Sequence, residues 1–123
     1  MTHPILFENV THEIPDCPGV YALENTISDA IYIGCSINLR SRYREWHSRR
    51  RMTVARLRRL CNPLMAKEIA TAPMEGWRFV ILVASPDLTK QEILRLEAKA
   101  IARAANCGRK RLNAVDGARK TIY

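Results

Sequence analysis

The spacing of hydrophobic and polar positions changes period several times along the chain. Gly19 to Glu24 (GVYALE) places β-favouring Val20 and Tyr21 after a Pro18-Gly19 break, and Ala30 to Gly34 (AIYIG) is a second short run of the same kind. The polar stretch Asn25 to Asp29 is short enough to join antiparallel neighbours, so the pair predicts a hairpin. After Gly34 the period becomes helical: Leu39, Tyr43 and Trp46 recur at intervals of four and three, with Ser36 or Asn38 as N-cap and an end near Arg50. Thr53 caps a second helix in which Val54, Leu57 and Leu60 share a face, and Asn62-Pro63 interrupts it. A further turn or two runs through Ile69 before Pro73 and Gly76. Trp77 to Ala84 (WRFVILVA) is the most apolar run and reads as the central strand, covered on both faces. Thr89-Lys90-Gln91-Glu92 has the form of a capping box, opening a helix that continues to about Asn106, with Gly108 to end it.

A chain of 123 residues can bury one modest core, so residues 1–123 are expected to form a single domain ending in a basic C-terminal tail from Arg109. No apolar run approaches the roughly 20 residues of a membrane span, and MTHPILFENV lacks the basic flank and apolar stretch of a signal peptide. The expectation is a cytoplasmic protein with no membrane partner. Cys17, Cys35, Cys61 and Cys107 form no CxxC pair and His3, His12 and His47 are dispersed, so neither a zinc knuckle nor a disulfide framework is indicated.

Charge alters the picture more than composition does. The net charge is +8, and it is segregated. Met1 to Cys35 holds five acidic residues and no Lys or Arg; Ser36 to Leu60 holds nine arginines against Glu45 alone. A solvated helix face normally mixes signs. This one barely does, which fits a surface for a polyanion, with Arg40, Arg44, Arg49, Arg50, Arg51 and Arg56 as candidate phosphate contacts.

Ile93, Glu97 and Ile101 lie four residues apart, which puts Glu97 in an apolar stripe of the last helix. A carboxylate there must be paired, protonated or bound to a cation. Structural pairing with an arginine and metal ligation both meet that requirement.

GVY at Gly19 to Tyr21, then YIG at Tyr32 to Gly34 after ten residues, resembles the two half-motifs of the GIY-YIG nucleases. CSINLRSR extends the likeness with Asn38-Leu39 and Arg42, RLEAKAI places Glu97 at that family's metal-binding glutamate, and RLN places Asn113 at its late asparagine. The resemblance covers Pro18 to Asn113. It implies an α+β fold, a small three-stranded antiparallel sheet flanked by helices, and metal-dependent phosphodiester cleavage. On that likeness Glu97 would bind one Mg²⁺ or Mn²⁺, Arg42 would grip the scissile phosphate, and Tyr21 would accept the proton of the attacking water. Tyr32 would orient water or phosphate, and Asn113 would support the site by hydrogen bonding.

One position departs from the pattern. The family commonly has His or Tyr four residues after the arginine, where this chain has Trp46, with His47 one later. Five residues along a regular helix land near 140° from Arg42, so His47 reaches the site only if the helix adjusts. Otherwise Tyr21 is the base without histidine help, or activity is reduced. The leading expectation is a stand-alone endonuclease, most readily of DNA. Its rivals are a nucleic-acid-binding module that has lost turnover, and an interaction domain for an acidic protein.

Overall fold

The computed structural model describes residues 4–6, as backbone, and 14–113. Strand β1 (Pro4–Leu6) is followed by β2 (Gly19–Asn25), β3 (Ala30–Ser36), α1 (Leu39–Arg49), α2 (Val54–Leu57) and α3 (Pro63–Thr71). After a 3-10 turn come β4 (Trp77–Ala84), α4 (Lys90–Ala104) and β5 (Lys110–Arg111). The sheet order is β1-β4-β2-β3-β5. Its centre, β4-β2-β3, is the antiparallel three-stranded sheet that the family resemblance implies. Two short edge strands extend it: β1 antiparallel on β4, and β5 parallel on β3.

The central strand is β2, not the apolar WRFVILVA run, which pairs between β1 and β2. That run owes its apolar character to cover on both faces: Trp77 and Phe79 join one cluster, and Val80, Leu82 and Val83 the other. The period of two along β2 does the same sorting. Tyr21 and Leu23 face α1, α2 and α3, where Leu39, Tyr43, Trp46, Leu57 and Met65 are buried. Val20 and Ala22 face α4 and its Ile93.

The helix starts follow local chemistry. Asn38 caps α1 by accepting from the Ser41 amide at 2.9 Å, Thr53 caps α2 and Asn62 caps α3, with Pro63 opening that helix. The Thr89–Glu92 capping box forms as its sequence requires. Two ends differ from the periodicity. The second helix is one turn long, so Leu60 falls outside it and stands exposed. The last helix is capped at Ala105, and Gly108, at φ 77, turns the chain into β5.

Candidate active site

Tyr21 and Tyr32 lie on the same face of adjacent strands. The β2–β3 register pairs Tyr21 with Gly34 and Leu23 with Tyr32, so the tyrosines are diagonal neighbours. Gly34 is required by the Tyr21 ring: a Cβ at this position would lie 2.4 Å from the phenolic oxygen. Phe79 stacks on the other side of that ring, with centroids 4.8 Å apart. Gly19 permits a comparable approach, since a Cβ there would meet the Val83 carbonyl oxygen at 2.3 Å.

Helix α1 brings Arg42 to this face. The helix is pinned at its start by Leu39 N–H on the Cys17 carbonyl at 2.9 Å and by Arg40 Nε on the Ile14 carbonyl at 2.9 Å. The Arg42 side chain is 11% exposed and lies 3.1 Å from Glu45 Oε1. Burial works against its charge, but the Tyr21 oxygen, by charge and by hydrogen bond, then Glu45 and Tyr32, outweigh burial and raise its pKa. It is a permanent cation placed on a phenolic oxygen.

Glu97, 4% exposed, comes from α4. Its charge reaches Tyr32: burial first, then Glu97, raise the pKa of that phenol, with Arg42 opposing. Tyr32 therefore keeps its proton at neutral pH, which suits a hydrogen-bond donor rather than a base. Asn113 lies at the far edge of β3, accepting from Ile33 N–H at 2.9 Å and donating to the Ile33 carbonyl at 2.8 Å. It thus holds the backbone between Tyr32 and Gly34.

Trp46, not His47, turns toward the tyrosines. Helix α1 is a regular α-helix, so position 46 shares the face of Arg42, and Trp46 donates its indole N–H to the Tyr21 oxygen at 2.8 Å. Its ring meets Tyr32 edge-on at 5.6 Å. His47 is turned toward Tyr43, 6.0 Å between ring centroids, and Arg50, 3.1 Å from its Nε2. The structure brings together Tyr21, Tyr32, Arg42 and Glu97, with Asn113 behind them, and adds Trp46. The helix period placed Trp46 on the Arg42 face; its bond to Tyr21 depends on how α1 sits on the sheet.

The arginines divide into two groups. Arg40 is held by Ile14 and Asp16, Arg49 lies 3.6 Å from Glu45, and Arg50 contacts His47. Arg44, Arg51, Arg56, Arg58 and Arg59 are exposed, with no ion pair among the described residues. Arg56 and Arg59 line a groove with Thr53, Ala55 and Leu60. The start of the basic tail is committed internally: Arg109 pairs with Glu24 and Asp29, and Lys110 with Glu68. The remainder of the tail lies outside the described residues. A cleft of about 660 Å³ beside α4, floored by Val20, Ala22 and Val80, holds none of the tyrosine cluster.

The chain matches the family model of the GIY-YIG catalytic domain over residues 17–111. It belongs to that family, whose members are endonucleases acting on nucleic acid. No curated protein and no solved structure matches it. Among the described residues no helix is long and apolar enough to cross a membrane.

Proposed function

We propose that this protein is a metal-dependent endonuclease that hydrolyses phosphodiester bonds of DNA with a single divalent ion, Mg²⁺ or Mn²⁺. One observation carries the reading: Tyr21, Tyr32, Arg42 and Glu97 come from two strands and two helices, with Arg42, near the start of α1, on the Tyr21 oxygen and Tyr32 within the field of both Arg42 and Glu97. Glu97 would hold the ion. The donor chemistry fits, because one buried carboxylate beside a phenol offers oxygen only, and a hard cation completes its shell with water. Among the described residues no three His, Cys, Asp or Glu side chains converge, so water would supply most of that shell. When bound, the ion stabilises charge on the leaving oxygen.

The remaining work falls to the chain itself. Arg42 grips a phosphate oxygen and stabilises charge in the transition state. Tyr21 first gives up its phenol proton to solvent, the phenolate being stabilised by the Arg42 charge. The oxygen of a water then forms a bond to phosphorus, its proton passes to the Tyr21 phenolate, and the bond from phosphorus to the leaving oxygen breaks. Tyr32, which keeps its proton, donates a hydrogen bond to water or phosphate. Arg44, Arg51 and Arg56 hold the backbone alongside, positioning the strand without reading its sequence.

The rival reading is a binding module on the same fold, and the full burial of Tyr21 favours it. A cleavage assay on plasmid and on labelled duplex and single-stranded oligonucleotides separates the two, comparing wild type with Glu97→Ala in Mg²⁺, Mn²⁺ and EDTA. The nuclease reading expects cutting that needs metal and falls by at least about 100-fold in the variant. Wild-type protein that binds these substrates and cuts none of them establishes the binding module.

A further inference from the structure

The Tyr21 oxygen is satisfied from inside the protein, because its side chain is 0% exposed. Trp46 Nε1 gives it a hydrogen bond at 2.8 Å and Arg42 gives a second. An indole N–H only donates and a guanidinium has no acceptor, so both bonds run toward the phenolic oxygen. The oxygen is thereby kept in the role of acceptor.

Trp46 is itself held on every side. It is 3% exposed, meets Tyr32 edge-on at 5.6 Å, and carries the Arg49 guanidinium 4.7 Å above its ring. Residues 42, 45, 46 and 49 fall on one stripe of α1 and close a circuit through the strand tyrosine. Arg42 bonds Tyr21, Tyr21 accepts from Trp46, Arg49 covers Trp46, and Glu45 lies 3.6 Å from Arg49 and 3.1 Å from Arg42. An aliphatic side chain could fill the space of Trp46, but it could not reach the phenol with a donor.

We propose that Trp46 is a positioning residue for Tyr21: its indole N–H fixes the Tyr21 oxygen in place and, with Arg42, stabilises it as the phenolate, whose remaining lone pair takes a proton from water. The inference deepens the nuclease reading and rests on it. Trp46 touches neither water nor phosphate in this role; it acts through Tyr21.

Two measurements test this. Trp46→Phe keeps an aromatic ring against Tyr32 and under Arg49 but has no N–H. Its kcat should fall on the order of 10- to 100-fold, the size of a lost bond to a charged group, with KM unchanged. The second readout needs no activity. The protein has two tryptophans, and Tyr21→Phe should move the assigned indole N–H resonance of Trp46 in a ¹H–¹⁵N spectrum while leaving that of Trp77 in place. A Trp46 resonance that ignores Tyr21→Phe overturns the proposal, as does a folded Trp46→Phe enzyme with wild-type kcat. If Trp46→Phe does not fold, the Tyr21→Phe shift decides by its presence or absence. Wild-type protein inert on every substrate and metal overturns the nuclease reading and this role together, an outcome distinguished by the silence of the wild type itself.

Discussion

Asn113 shows how much one side chain can settle. Buried at 3% exposure, it offers its amide oxygen to Ile33 N–H and its amide nitrogen to the Ile33 carbonyl, acting as a one-residue strand partner between Tyr32 and Gly34. Asn113→Ala leaves both backbone groups buried and unpaired. At about 1–3 kcal/mol for each of the two unsatisfied groups, the expected loss is about 2–6 kcal/mol, read as a lower urea midpoint with unchanged slope. Asn113→Asp keeps the acceptor for Ile33 N–H but sets a carboxylate against the Ile33 carbonyl, so it should not restore the loss. A variant within about 0.5 kcal/mol of wild type would mean that the two bonds contribute little. The sequence marked Asn113 through its place in the motif, but not its partner. That partner is 80 positions away and is reached only because β5 runs alongside β3. Gly34 is similar: the half-motif marks it, but the constraint, the Tyr21 ring lying over it, belongs to the strand register.

At the level of elements, legibility followed length and period. GVYALE and AIYIG carry an alternation that sorts their side chains to two faces, and Leu39, Tyr43 and Trp46 carry a helix stripe, so both kinds of element could be read directly. Strands of three and two residues, β1 and β5, are too short to show a period. Which strand lies at the centre is decided by pairing, and hydropathy misled there because β4 is covered on both faces without being central. The capping box of α4 was legible because it is wholly local, and it makes a prediction with a definite sign. Hydrogen bonds from the Thr89 backbone and side chain hold the Glu92 carboxyl below its ordinary 4.5. A group whose folded pKa is depressed contributes stability above its ordinary value and loses it as pH falls through the lowered one. Thermal melts of wild type and Glu92→Gln should therefore differ at about pH 6 and converge as the pH drops below about 4.5. A gap that stays constant with pH would show that the carboxylate charge has no part in the cap.

Over the whole molecule, the charge segregation has a structural logic that bears on substrate binding. Among the described residues, the acids of the first third are used internally: Asp16 holds Asn38 and Arg40, while Glu24 and Asp29 hold Arg109. Those pairs neutralise cations at the start of α1 and beside β5, and among the described residues leave Arg44, Arg51, Arg56, Arg58 and Arg59 exposed. Exposed pairs of this kind contribute little to stability, so the arrangement matters chiefly for where positive charge is left bare. Each phosphate contact releases counterions and adds about 0.9 to the slope of log affinity against log salt. If Arg56, Arg58 and Arg59 each meet a phosphate, the combined variant R56Q/R58Q/R59Q should lower that slope by about 2–3 while leaving kcat at saturating DNA unchanged, since none of the three is placed in the tyrosine cluster. Arg40→Gln should barely change the slope, because its guanidinium is already held by the Ile14 carbonyl. Equal slopes for wild type and the triple variant, in filter-binding titrations across salt, would move the DNA contact off the α2 surface. A fall in kcat with the slope intact would instead mean that these arginines order the active site rather than hold the strand.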